Sequence, residues 1–183
     1  MDMKLIYIIV ALKSEAQAFV DKYKLKKSRL SGFLVFSNAT MKLIVSGVGV
    51  GFARDATQTF INHYDITDDD IYLNVGICGG DKNYEIGTLV EVGSVTYEGI
   101  KYTLKENKKQ IHTLDKEMTQ EGFELVDMEA YGFYDAVVHN PAIRNAYIFK
   151  VVSDHFEPKL ITKEKTKALI FDKIDAINKI IKI

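Results

Sequence analysis

Leu5-Ile6-Tyr7-Ile8-Ile9-Val10 is a run of aliphatic, β-branched and aromatic side chains with no polar residue at alternate positions, the pattern of a strand buried on both faces. Such a strand belongs in the middle of a sheet. Directly behind it, Ser14 and Gln17 have the spacing of a capping box, and Ala16, Phe19, Val20 and Tyr23 recur at helical intervals. A buried strand that runs straight into an amphipathic helix predicts an α/β fold, and the rest of the chain repeats the theme. Residues 32–37 and 41–46 read as strands joined by the turn Asn38-Ala39-Thr40, followed by the glycines Gly47, Gly49 and Gly51 and by a helix marked by Ala53, Ala56, Phe60 and Tyr64. Residues 71–75 form another apolar strand, closed by Gly76-Ile77-Cys78-Gly79-Gly80. Residues 88–105 are strand-like with breaks at Gly93 and Gly99, and residues 110–114 form a strand within the most polar stretch, 101–121. Asp127 is placed to cap a helix reaching about residue 139, residues 146–152 form a strand, and Ile170, Ile174, Ile177 and Ile181 give the last helix its apolar stripe. The expectation is a three-layer α/β/α sandwich around a central, mostly parallel or mixed, twisted sheet, in one domain spanning residues 1–183.

Composition narrows the function classes. Of 183 residues 47% are apolar and 27% charged, with 24 basic against 25 acidic side chains, so the chain can bury a substantial core. A net charge of -1 supplies no general field for phosphates, which argues against a nucleic-acid partner. The single cysteine, Cys78, cannot form an internal disulfide, and the four histidines show no spacing suited to zinc. The longest apolar run, Leu5 to Leu12, ends at Lys13 and falls short of the roughly 18 residues that a membrane span needs. A cytoplasmic protein without a membrane partner is expected.

Four predicted strand ends carry more than filler, and ligands in open α/β sheets sit outside the carboxyl ends of strands. They are Glu15 after the first strand, Ser46 to Gly51, Gly76 to Gly80, and Ser153-Asp154. Each has a structural reading as well: an acid in a first helical turn complements the macrodipole, glycines close tight turns, and Asp127-Met128-Glu129 caps a helix. Gly47-Val48-Gly49-Val50-Gly51 meets neither the dinucleotide nor the P-loop fingerprint, and no G-x-S-x-G is present.

Taken in order, Ala11-Leu12-Lys13-Ser14-Glu15, Ser46-Gly47-Val48-Gly49, Asn74-Val75-Gly76-Ile77-Cys78-Gly79-Gly80, Val126-Asp127-Met128-Glu129-Ala130 and Val152-Ser153-Asp154 resemble the nucleoside phosphorylase and nucleosidase family. The 5'-methylthioadenosine/S-adenosylhomocysteine nucleosidase branch is the most similar. The likeness runs from Met3 to about Thr96 and from His112 into the last helix.

This resemblance implies hydrolysis of the N-glycosidic bond of a purine nucleoside, adenosine-type with or without a 5'-substituent, and needs no cofactor or metal. Asp154 matches the acid that protonates the purine at N7, and Glu15 the base that activates water. Glu129 matches the acceptor for ribose hydroxyls and Met128 the residue packed on the sugar. The backbone at Gly79 and Gly80 lines the base, and Ser153, Ile77, Lys150 and Gly47 complete the substrate-binding positions. Ile77 stands where many members carry serine, and Lys150 where nucleosidases often carry arginine. Several tens of residues that follow the strand at Gly87 to Val90 in the family are absent, with residues 99–111 as a short bridge in their place. That bridge cannot wall the pocket fully, so a homodimer is expected whose partner closes part of the site, with Phe52, Phe60 and Tyr64 as candidate contacts. Phosphorolysis is the alternative reaction, weakened because Arg29, Arg54 and Arg144 fall outside the motifs. A non-catalytic nucleoside-binding member is the other alternative.

Overall fold

The computed structural model describes residues 4–183. A ten-stranded mixed sheet is sandwiched between two helical layers, as the sequence predicts. Strand β1 (Ile6–Val10) is buried along its whole length and lies between β4 (Met41–Val45) and β5 (Ile71–Gly80), parallel to both, with Ile8 level with Leu43 and Leu73. On one face α1 (Lys13–Tyr23) and α4 (Lys163–Ile181) enclose a core of Phe19, Leu73, Phe149, Ile170, Ile174 and Ile177. On the other, α2 (Val50–His63) and α3 (Ala130–Val138) cover Tyr7, Ile9, Phe60, Tyr72 and Phe133. Each layer follows from a stripe of apolar residues at helical spacing that cannot be left in water.

The far half of the sheet closes on itself. Strand β10 (Asn145–Asp154) pairs with β5 in parallel and with β6 (Leu89–Tyr97) antiparallel. From β6 the ladder continues through β8 (Lys109–Thr113) and β9 (Leu125–Asp127) back to β5. The hairpin strand β7 (Ile100–Thr103) hangs on β6. Its turn is Glu98-Gly99 with φ of 48° and 80°, the left-handed pair of a tight hairpin. On the opposite edge, β3 (Phe33–Ser37) joins β4 and β2 (Lys26–Leu30) joins β3, both antiparallel.

Several expectations need correction. Ser14 does not cap α1: Leu12 precedes the helix, and Glu15, not Gln17, reaches back to the chain entering it. Residues 76–80 are not a turn but the continuation of β5, and 76, 79 and 80 are glycines because side chains would collide there. A Cβ at Gly76 would lie 2.9 Å from Glu15 Oε1, and one at Gly80 3.0 Å from Val152. Gly93 likewise does not break β6: it sits at a bulge against β8, where a Cβ would come 2.4 Å from the Lys105 carbonyl. Asp127 ends β9 and acts from outside the helix, its carboxylate accepting the amides of Glu129 (3.2 Å) and Ala130 (2.7 Å). Tyr64 meets the fully buried Phe60 edge-on beside Tyr7 and is itself only partly buried, so Phe60 is not free to contact a partner. Phe52, 59% exposed, is.

Helices α2 and α3 touch through Gly132, where a Cβ would come 2.0 Å from the Val50 carbonyl oxygen. Gly132→Ala is expected to cost about 1–3 kcal/mol by forcing the helices apart, read as a lowered urea midpoint. An unchanged midpoint would show that α3 shifts without penalty. No helix among the described residues is long and apolar enough to cross a membrane.

Candidate active site

Strands β1, β4, β5 and β10 are parallel, so their carboxyl ends open on one side of the sheet. There lies a cavity of about 180 Å³. Seven of the residues singled out from sequence line it: Glu15, Ile77, Gly79, Met128, Glu129, Ser153 and Asp154. Gly47, Gly80 and Lys150 do not. They lie behind the lining: Gly47 opens the β4–α2 loop with φ 91°, Gly80 pairs with Leu125, and Lys150 is 1% exposed.

Glu15 is held by three backbone amides. Its Oε2 accepts from Ala11 (3.0 Å) and Leu12 (2.9 Å), and its Oε1 from Ile77 (3.0 Å). Burial pushes its pKa up, while Lys150 and the three amides oppose the rise. A buried carboxylate with a raised pKa is suited to take a proton.

Glu129 arrives from the start of α3, and its Oε1 accepts the Gly49 amide at 3.0 Å. The glycine loop after β4 thus grips a residue 80 positions away. Burial lifts the Glu129 pKa to about 7, with Asp127 and Glu15 adding to the shift and Lys150 opposing it.

Asp154 ends β10. Its Oδ1 accepts the Glu157 amide (2.8 Å) and its Oδ2 accepts the Ser153 hydroxyl (2.7 Å), while Ser153 Oγ also lies 3.2 Å from the Cys78 carbonyl oxygen. Ser153 has one proton. When Asp154 is ionised, Ser153 gives it that proton. When Asp154 Oδ2 is protonated, it can donate to Ser153 Oγ while the hydroxyl turns to Cys78. Both states of the acid therefore find hydrogen-bond partners without movement of the backbone.

Asp127, which also lines the cavity, forms a buried ion pair with Lys150 behind it, Lys150 Nζ to Asp127 Oδ2 at 2.8 Å, with the two side chains 1% and 0% exposed. Burial disfavours the ammonium, yet the charges of Asp127, Glu129 and Glu15 outweigh it and hold the Lys150 pKa above its ordinary value. Thr113 Oγ1 donates to Asp127 Oδ1 at 2.8 Å, completing that carboxylate's partners. Sequence reasoning saw Asp127 only as a cap.

It also missed Lys116, Glu117 and Met118, which line the cavity from the loop between β8 and β9, and Pro158, which follows β10. The bridge 99–111 contributes no lining residue. It builds β7 and the start of β8 instead, and the loop behind it supplies the wall.

No family model matches the sequence, and no curated protein matches it. Solved structures do. The 5'-methylthioadenosine/S-adenosylhomocysteine nucleosidase of Helicobacter pylori, bound to butyl-thio-DADMe-Immucillin-A, superimposes with a TM-score of 0.81 at 11% identity, over 100% of this chain and 99% of that one. The Arabidopsis thaliana 5'-methylthioadenosine nucleosidase in apo form gives 0.75 at 18% identity, covering 97% of each chain. The nucleosidase of Colwellia psychrerythraea 34H in complex with adenine gives 0.71 at 17%, covering 93% of this chain and 95% of that one. At such identities the shared property is the architecture, and the parallel strands, closed far half and two helical layers described above are that architecture: the chain has the fold of the 5'-methylthioadenosine/S-adenosylhomocysteine nucleosidases.

Proposed function

We propose that the protein is a purine nucleosidase, hydrolysing the N-glycosidic bond of an adenosine-type nucleoside, with or without a 5'-substituent, and using water as the nucleophile. The observation that carries this reading is the convergence of Glu15, Glu129 and Asp154, three buried carboxylates besides the Lys150-paired Asp127, from three separate elements into one cavity. Three buried acids at one spot are costly unless the chemistry uses them. The adenine in the Colwellia complex fits the same reading.

The roles follow from the charge that develops. As the bond between C1' and N9 breaks, its electron pair goes to the base and positive charge grows on the sugar. Asp154 donates a proton to N7, so the base departs neutral, and the Ser153 hydroxyl is placed to support either state of that acid. Water bonds to C1', and Glu15 takes its proton. Glu129 accepts hydrogen bonds from ribose hydroxyls and Met128 packs on the sugar, while backbone at Gly79 borders the base and Ile77 lies on the sugar side. Lys150 and Gly47 act from behind: the ammonium balances the carboxylates, and the Gly47–Gly49 loop holds Glu129. No step calls for a metal or cofactor.

Phosphorolysis is disfavoured because no arginine lines the cavity. Arg54 pairs with Asp135 and Arg144 with Asp68, while Arg29 lies on edge strand β2, and none of the three lines the cavity. Purified protein is expected to release adenine from adenosine in phosphate-free buffer at a rate that added phosphate does not raise. Strict phosphate dependence with ribose 1-phosphate as product would transfer the assignment to a phosphorylase. No release from any of a panel of purine nucleosides would leave a binding protein.

The same reading takes residues 1–183 as one working unit, a cytoplasmic homodimer. Its supports are a lone, buried thiol suited to a reducing compartment and the exposed Phe52 and Val48, the latter bordering the cavity.

A further inference from the structure

Behind the base side of the cavity lies a second, surface pocket of about 460 Å³, lined by Asp81, Lys82 and Asn83 after β5, by Glu121 to Phe123, and by His155 and Phe156. One buried aromatic ring lines this pocket and packs against the wall of the first. Phe156 is 5% exposed, and its Cδ1 and Cε1 would lie 3.2 and 3.5 Å from a Cβ built on Gly79, which would also lie 3.1 Å from Val126. Gly79 and Val126 line the catalytic cavity, whereas Phe156 lines the outer pocket.

The backbone of Phe156 is held in the left-handed region, φ 62°, a conformation that costs a non-glycine residue of order 1–2 kcal/mol. The turn that imposes it ties residues 154–157 together. Asp154 Oδ1 accepts the Glu157 amide across it, and His155 Nδ1–H donates to the Gly80 carbonyl at 3.1 Å. The ring is thus presented by the same turn that fixes the acid.

We propose that Phe156 is the specificity-determining wall of the base site, excluding purines that carry a bulky group at the 6-position, and that the pocket lined by Asp81, Phe123 and His155 is the space such a group would enter if the ring were absent. This rests on the nucleosidase reading. A purine with N7 at Asp154 presents its 6-substituent on the same edge as N7, and that edge faces the 154–157 turn. A small amino group fits in front of the ring. A benzylamino group does not.

The test compares adenosine with N6-benzyladenosine in the wild type and in Phe156→Gly, which removes the ring while keeping the positive φ that glycine adopts freely. The kcat/KM ratio of the benzyl substrate to adenosine is expected to rise about 10–200-fold, the span that steric selection in an apolar pocket achieves. Loss of packing alone would lower both and leave the ratio where it was, overturning the proposal. Should Phe156→Gly fail to fold, Phe156→Leu is expected to move the ratio in the same direction by less, and no movement in that variant overturns the proposal equally. Calorimetric binding of adenine and 6-benzylaminopurine reads the wall without catalysis. A wild type that neither binds adenine nor cleaves adenosine refutes the nucleosidase reading and the wall with it. A wild type that does both, with Phe156 variants that show no gain for the benzyl compounds, refutes only the wall.

Discussion

Asp154→Asn is expected to slow adenine release from adenosine by about 10²–10⁴-fold, the usual worth of a positioned general acid, while leaving the fold intact. The reason lies in the partners of the carboxyl group. Asparagine keeps an oxygen for the Glu157 amide, and its NH₂ can donate to Ser153 Oγ as that hydroxyl turns to the Cys78 carbonyl. Every hydrogen bond survives, and only the transferable proton is lost. Hydrolysis of p-nitrophenyl riboside, whose leaving group departs without protonation, should therefore fall much less. Glu15→Gln should damage both substrates alike, because both need the activated water. Parallel assays of adenine and nitrophenol release decide the matter. An equal loss on both substrates in Asp154→Asn would show that the residue organises the cavity and does not supply the proton.

The layers of the fold were legible because burial writes a periodic signal. Residues 5–10 lack polar alternation since β1 has strands on both sides and helices on both faces, and the isoleucines of α4 repeat at the pitch that meets the sheet. Strands β2 and β9 carry no such signal. The first is an exposed edge of lysine, serine and arginine that forms only because β3 offers it a partner, and the second is three residues long, held at both sides by neighbours remote in sequence.

The glycines mark another limit. Glycine at 76 to 80 reads the same whether the chain must turn or must leave room, and only the positions of Glu15 and Val152 show that room is the reason. For the site, Glu15 and Asp154 were legible as strand-end residues and Glu129 only through the family resemblance, but the ion pair beneath them was not. Asp127 and Lys150 sit on strands that do not pair with each other, and nothing local in either segment announces the contact.

Lys150→Met should reveal what that pair does. Methionine of similar length fills the space but leaves Asp127, Glu129 and Glu15 without their cation, and removing one partner of a buried ion pair costs about 3–5 kcal/mol. The loss should depend on pH in a direction fixed by the carboxylates. The folded pKa of Lys150 is raised, so its own contribution is fully present below the unfolded value near 10.4 and is lost only at higher pH. Between pH 5 and 8 it does not titrate. Glu15 and Glu129 have raised pKa values in the folded protein, the latter at about 7 against an ordinary 4.5. Such groups stabilise the fold in their protonated form, fully below the unfolded value, and that contribution disappears as pH rises through the folded one. Without the ammonium, which lowers both, their pKa values climb further, so the variant's deficit should be large at pH 8 and should shrink towards pH 5 as the two acids take up protons. Lys150→Arg, which keeps the charge, should show little of this dependence. Urea titrations of the three proteins at pH 5, 6.5 and 8 would measure it. A deficit of equal size at all three values would mean that Lys150 serves packing alone and leaves the charge state of Glu15 and Glu129 to burial and their backbone partners.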